Sequence, residues 1–373
     1  MLPGFWISRA TAGVARTRSR PSAASGAART VGDNGGGPAS KMTTTETFRA
    51  LMAQGVPERY TTEFADVPGD ALPPGDVLVE VKYSSLNYKD ALAVTGRRPV
   101  IRSFPMVCGI DLAGRVMDSA SPEFTPGDDI LAVGQGLGET RWGGYSQRAR
   151  IPAGAAVRLP AGLGLQEAMA FGTAGLTAML SLLALEHQGV VPGAREVVVT
   201  GAAGGVGSIA VALLAGRGYR LAASTGRPEM SDYLRALGAT TIIDRGELAR
   251  KTPPLAPERW AGGIDTVGGQ TLASLLAATA AYGAVAACGL AGGAELSTTV
   301  YPFILRNVSL LGINSVYPPK ALRLRAWERL AQEPVIAKLG TIATVEPLSK
   351  IKELSAQLLA GRIRGRVVVD VNA

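Results

Sequence analysis

The sequence predicts an α/β protein whose β-rich first half gives way to a doubly wound parallel sheet. Three observations carry that prediction. Up to about residue 165, apolar and polar residues alternate in short runs broken by Gly and Pro, as half-buried strands do. From about residue 166, apolar runs rich in β-branched residues alternate with helical patterns, the rhythm of βαβ units. Between them, REVVVTGAAGGVGSIAVALL (195–214) joins a strand to a helix through Gly201, Gly204 and Gly207.

The elements follow in order. DVLVEVKYSSLNY (76–88) alternates Val, Leu, Val and Val with polar residues and reads as a strand, entered through the PPGD turn. GIDLAGRVM (109–117) and DDILAVG (128–134) are further short strands, with FTPGD (124–128) turning between them. QEAMAFGTAGLTAMLSLLAL (166–185) is helical. REVVVT (195–200) has the composition of a strand buried on both faces. SIAVALLAGRG (208–218) is a helix ending at Gly218, and YRLAAST (219–225) a second strand. A helix over SDYLRALGA (231–239) precedes strands at TIID (241–244) and GIDTVG (263–268). A helix over QTLASLLAATA (270–280) precedes strands at GAVAACG (283–289) and VSLLGINSV (308–316). The tail, KIKELSAQLLAGRIRGRVVVDV (350–371), reads as a helix and a strand. There is no internal repeat.

Charge and cysteine usage exclude several classes. The net charge of +8 sits largely in the first 41 residues, which hold six basic residues and one acid; the rest carries +3. A folded unit at +3 calls for no nucleic acid. No uninterrupted apolar run reads as a membrane span, and 166–186 reads as a buried helix. Cys108 and Cys288 alone frame no disulfide scaffold, so a reducing compartment is expected. Two cysteines and the single His187 are too few soft ligands for a Cys/His zinc site. Residues 1–41 lack hydrophobic periodicity and are expected to be disordered. Their Arg/Ser-rich, acid-poor composition fits an organelle transit segment, or else translation starts at Met42.

Four stretches are chemical candidates. The glycine loop lets backbone N–H groups approach a pyrophosphate at a helix N-terminus. Its position between a strand and a helix is the context that supports a dinucleotide. Twenty residues past Gly207 stands Arg227, where NAD-binding proteins use an acid on the ribose 2′-hydroxyl. Ser224, Thr225 and Arg227 suit a 2′-phosphate instead, which points to NADPH. SSLNYKDAL (84–92) gathers Asn87, Tyr88, Lys89 and Asp90 at a strand's end. It reads equally as a site with a tyrosine proton donor or as a helix cap. Cys108 reads as a small buried hydrophobe and His187 as a helix C-terminal cation.

Over roughly 42–373 the chain resembles the medium-chain dehydrogenase/reductase superfamily. Within it, the sequence is similar to the zinc-independent acryloyl-CoA reductases (YhdH/AcuI-type, quinone-oxidoreductase-like). The stretches that match are SSLNYKDALAVTG, FPMVCGIDLAG, WGGYSQRAR, GTAGLTAML, VVVTGAAGGVGS, STGR, WAGGIDTVGG, VAACGLAGG and TVYPFILRNVSLLGINSV. CGID stands where the zinc-dependent branch has GHE, so no metal is implied. The resemblance implies a GroES-like domain over 42–170 and 317–373 and a Rossmann domain over 171–316, with the active site between them. It implies reduction of a short enoyl-CoA by NADPH, typically acryloyl-CoA to propanoyl-CoA. Tyr88 would be catalytic or positioning, with Asn87 and Asp90 sharing its motif. Ala203, Gly204, Gly205 and Val206 would line the pyrophosphate, and Ser224, Thr225, Gly226 and Arg227 the 2′-phosphate corner. Leu290, Ile304, Ser315 and Arg366 would border the cofactor, while Arg245 in TTIIDR is left unassigned. A small acyl-CoA substrate, a homodimer and a cytoplasmic location are the matching expectations, with no nucleic acid and no membrane. Lys82, Lys89, Arg97, Arg98 and Arg102 are the candidate cations for an acyl-CoA. The alternatives are an NADPH-dependent quinone or enone reductase and a non-catalytic NADPH-binding protein.

Overall fold

The computed structural model describes residues 46–373, so expectations on residues 1–41 lie outside the described residues. The chain opens with an antiparallel hairpin of β1 (Thr47–Val56) and β2 (Arg59–Pro68), joined on its free side by β4 (Met106–Val107). β3 (Val77–Ser85) leads into α1 (Tyr88–Thr95). β5 (Asp111–Ser119), β6 (Asp129–Val133), β7 (Arg148–Ile151) and β8 (Val157–Arg158) complete the first half. α2 (Leu165–His187) follows.

The second half alternates. β9 (Glu196–Val199), α3 (Gly205–Gly216), β10 (Leu221–Thr225), α4 (Ser231–Leu237) and β11 (Thr241–Asp244) come first. α5 (Arg245–Ala249), β12 (Trp260–Asp265), α6 (Gly269–Ala278) and β13 (Thr279–Ala287) follow, then α7 (Tyr301–Arg306) and β14 (Ser309–Gly312). The tail holds α8 (Lys320–Leu330), α9 (Leu339–Ile342), β15 (Ala343–Pro347), α10 (Ile351–Leu359) and β16 (Arg366–Asp370).

The second-half sheet is wholly parallel, in the order β11-β10-β9-β12-β13-β14. β9 shows why these residues form it. Val197 and Val199 enter one core cluster and Val198 the other, because successive side chains leave opposite faces. A strand covered on both sides must be apolar at every position. The strand order reverses between β9 and β12, and a ligand crevice opens at the carboxyl ends there. The glycine loop is the chain leaving β9 at that point.

The first-half sheet runs β15-β16-β3-β5-β6-β8, with β7 also on β3. β16 pairs antiparallel to β3, placing Val368 opposite Ser85. The tail is thereby stitched into the β-rich half. α2 packs on α3 from one half and on β3, β5 and β16 from the other. It is the one helix among the described residues long and apolar enough to cross a membrane, and 83% of its apolar window is buried.

Two features differ from the sequence reading. The β1–β2 hairpin was not anticipated. Residues 317–342 do not pack wholly with the β-rich half as expected. Trp327, Leu330, Val335, Leu339 and Ile342 join the core cluster of Leu213 and Tyr233. That cluster also takes in Leu131 and Val157 of the β-rich half, so this segment bridges the two halves; burying a side chain of that size contributes roughly 1.5–3 kcal/mol.

Candidate active site

α1 starts the site. Asn87 is its N-cap and Asp90 closes a capping box, with Asp90 Oδ2 accepting the Asn87 N–H at 2.9 Å. Asp90 Oδ1 accepts the Ile110 N–H at 2.8 Å, which pins α1 to the CGID turn. Asp90 is fully buried and Asn87 nearly so, whereas Tyr88 between them is 51% exposed. Burial, then repulsion from Asp111, pushes the Asp90 carboxyl up to about 7.

A second carboxylate completes a sealed polar node. Asp111 Oδ2 accepts from Ser85 Oγ at 2.6 Å, Asn87 Nδ2 at 2.9 Å and the Thr173 N–H at 2.8 Å. Arg366 Nη2 donates to Ser85 Oγ at 2.8 Å, and Nη1 to Asn87 Oδ1 at 3.1 Å and the Leu86 carbonyl at 3.0 Å. Its Nε donates to the Ala170 carbonyl at 3.1 Å. Burial pulls the Arg366 guanidinium down from its ordinary value, against the opposing pull of Asp111 and Asp90. Gly172 makes the node possible. Its φ of 50° and ψ of −151° break α2 so that Thr173 faces Asp111. A Cβ there would lie 2.6 Å from Asp111 Oδ2 and 2.8 Å from Arg366 Nη2.

Arg366 also reaches the glycine loop. A Cβ on Gly205 would stand 3.1 Å from Arg366 Cδ and 3.3 Å from Nη1. Arg366 therefore lies against both the glycine loop and the cap of α1. Gly204, Gly205 and Val206 are half-buried at the start of α3. Ala203 is buried, and its carbonyl accepts from Arg227 Nη2 at 3.1 Å and the Gly365 N–H at 3.0 Å.

The corner at the end of β10 holds two arginines. Ser224 and Thr225 are buried, and Thr225 Oγ1 accepts the Arg227 N–H at 3.1 Å. Arg227 is not a free surface cation. Its Nη1 donates to the Gly361 and Ile363 carbonyls at 3.1 and 3.0 Å, tying the tail to the sheet. Arg245 flanks Gly226 so closely that a Cβ there would overlap the Arg245 guanidinium. Parallel pairing of Thr225 with Asp244 brings it there.

The remaining candidates separate. Ser315 is half-buried and accepts from Thr177 Oγ1 at 2.8 Å, and Leu290 is 54% exposed just past β13. Ile304 is 69% exposed on α7, beside the exposed Tyr301 and Leu305. Lys82 and Lys89 are paired with Glu80 and Glu139. Cys108 is fully buried, and burial pushes its thiol up to about 12. His187 lies in the last turn of α2. Among the described residues, no three His, Cys, Asp or Glu side chains converge as a metal site. Sequence reasoning missed Asp111 and left Arg245 aside. The placement of TIID beside YRLAAST as adjacent parallel strands was the available signal for Arg245.

Fold and site define a two-domain oxidoreductase of the medium-chain dehydrogenase/reductase class. The alcohol dehydrogenase GroES-like domain model matches residues 73–161, and the zinc-binding dehydrogenase model residues 205–332. The acrylyl-CoA reductase AcuI of Ruegeria pomeroyi is 52% identical over 81% of this chain and 92% of its own length. The putative quinone oxidoreductase YhfP of Bacillus subtilis is 44% identical over 87% of this chain and 99% of its own. The crystal structure of the yhdH oxidoreductase from Salmonella enterica in complex with NADP superposes with a TM-score of 0.84. That structure is 47% identical and covers 86% of this chain and 99% of its own. The chain belongs to the acryloyl-CoA reductase family of medium-chain dehydrogenases/reductases.

Proposed function

We propose that this protein reduces the α,β-double bond of a short enoyl-CoA with NADPH and no metal, acryloyl-CoA to propanoyl-CoA being the simplest case. The observation that carries it is the Arg366 junction, which lies under Gly205 and holds Asn87, the cap of the helix that Tyr88 begins. The name of the Ruegeria pomeroyi relative supports the substrate class, and the NADP complex of the Salmonella enterica protein supports the cofactor.

The residues fit the cofactor. Gly204, Gly205 and Val206 offer a helix N-terminus to the pyrophosphate. Arg227 and Arg245 beside Gly226 suit a ribose 2′-phosphate. Leu290 and Ser315 border the nicotinamide side. Bound there, NADPH supplies the hydride for the β-carbon. Negative charge then develops on the thioester oxygen, and a positioned donor stabilises it. The Tyr88 hydroxyl is that donor, and a proton from solvent added at the α-carbon completes the saturated thioester. Asn87, Asp90 and Arg366 position Tyr88 and touch no substrate.

The reading includes a cytoplasmic homodimer. Both cysteines are unbridged, as in a reducing compartment. β14 is a sheet edge with exposed Leu310, flanked by Val300, Tyr301, Ile304 and Leu305. A bare apolar edge of this kind is met by pairing with a second copy. Light scattering at micromolar concentration is expected to give twice the chain mass.

The deciding experiment is steady-state NADPH oxidation with acryloyl-CoA, crotonyl-CoA and a simple quinone in parallel. Fast acryloyl-CoA turnover with NADH a poor donor is expected. Turnover with quinone alone favours the second reading, which the name of YhfP supports. NADPH binding without turnover of any acceptor leaves only a binding protein.

A further inference from the structure

The β-rich half contains a cavity of about 460 Å³, lined by Ser103, Pro105, Thr140, Arg141, Trp142 and Arg150 among others. That volume is in the range of small-molecule sites, roughly 300–1,000 Å³. Among the described residues, neither Arg141 nor Arg150 makes an ion pair through its side chain. Trp142 Nε1 donates to the Pro105 carbonyl at 3.0 Å, which fixes the indole in the wall. Two solvent-reachable guanidinium groups with no ion pair among the described residues, beside a held aromatic plate, suit a phosphorylated adenine nucleotide. Guanidinium forks match phosphate oxygens, and bases stack on aromatic faces.

One loop joins this cavity to α1. Arg141 ends the loop that carries Glu139, and Glu139 pairs with Lys89 at 2.8 Å, next to Tyr88. A Cβ on Gly136 of that loop would lie 3.3 Å from the Tyr317 hydroxyl and 3.7 Å from Arg141 Nε. The Arg102 N–H donates to the Glu139 carbonyl, placing a third exposed cation on the rim.

We propose that this cavity seats the 3′-phospho-ADP end of the acyl-CoA, with adenine on Trp142 and phosphates on Arg141 and Arg150. The inference rests on the enoyl-CoA reading. The pantetheine arm crosses the 136–141 loop and brings the thioester to Tyr88. Binding energy gathered at this remote end holds the short acyl group, which is too small to hold itself.

The test compares the wild-type full chain with the Arg141→Glu/Arg150→Glu variant. Calorimetry measures binding of CoA and of 3′-phospho-ADP without turnover. Kinetics compare acryloyl-CoA with the acryloyl thioester of N-acetylcysteamine, which lacks the nucleotide. CoA affinity is expected to fall at least tenfold and KM for acryloyl-CoA to rise similarly. kcat/KM for the truncated thioester and KM for NADPH stay within twofold. An Arg141→Lys/Arg150→Lys variant recovers most of the CoA affinity. Unchanged CoA affinity beside intact acryloyl-CoA turnover overturns the pocket and spares the reductase reading. Equal losses on both thioesters also overturn it, since the nucleotide end is what they do not share. Arginine-dependent CoA binding without acryloyl-CoA turnover supports the pocket and overturns the reductase reading instead.

Discussion

Two polar regions of this protein handle charge in opposite ways. The node of Ser85, Asn87, Asp90, Asp111 and Arg366 is closed to water, and hydrogen bonds engage both its carboxylates and its guanidinium. The corner of Arg227 and Arg245 around Gly226 opens to solvent, and Arg245 is exposed. A sealed charge without partners costs several kcal/mol, so the node is complete before any ligand arrives. A solvated cation costs little to hold in waiting, so the corner keeps capacity for an anion. The node satisfies its charges internally, whereas the corner leaves a cation in water.

The strongest way to break that contrast is Asp111→Ala. It removes the acceptor of Ser85, Asn87 and Thr173 and a negative charge near buried Arg366, and is expected to cost about 3–5 kcal/mol in urea unfolding. A loss below about 1 kcal/mol would show the node to be dispensable. Gly172→Ala comes next. It combines positive φ with a clash on Asp111 and is expected to cost about 2–3 kcal/mol. Gly96→Ala is its control, with φ of 65° and nothing within 4 Å, and is expected to cost about 1 kcal/mol.

Asp90 sharpens the contrast by pH. Its folded pKa, about 7, lies above its unfolded value of 3.8, so the folded state binds the extra proton. The stability from this group is complete below the unfolded value and is lost as pH rises through about 7. Asp90→Asn removes that component. The variant's stability relative to wild type should climb from about pH 4 to about pH 7 and then level off. A pH-independent difference between the two unfolding curves would contradict the sealed carboxyl.

The corner gives the smaller effects on stability. Arg227→Ala removes a side-chain donor from three backbone carbonyls and is expected to cost about 1–3 kcal/mol, while weakening NADPH more than NADH. Arg245→Ala should leave stability within about 0.5 kcal/mol. It should raise KM for NADPH about tenfold, as expected for a charge-assisted hydrogen bond of ~1.5–3 kcal/mol. An equal rise for NADH would show that Arg245 does not meet the 2′-phosphate.

Much of the parallel-sheet half was legible because its signals are local. Val197, Val198 and Val199 announce a doubly covered strand, and the glycine loop follows within a few residues. Tyr88 was visible through its motif at a strand's end. The β1–β2 hairpin and α8 escaped notice because their burial is decided by distant partners such as Val107, Leu213 and Tyr233. Asn87 and Asp90 were legible as residues, but their site and cap readings could not be separated in sequence. The structure makes them a capping box whose Asn87 also joins Asp111 and Arg366.

By itself the sequence determined the strand–helix alternation of the parallel-sheet half, the glycine loop and the STGR turn that carries Arg227. Each depends on residues that are neighbours along the chain, where backbone conformation and side-chain periodicity act directly. Only the tertiary structure decided that Arg366, more than 270 residues beyond Asn87, would close the node under Gly205. The pairing of β16 with β3 brings it there. Burial then fixes its partners, because a guanidinium withdrawn from water must find every hydrogen bond within the protein.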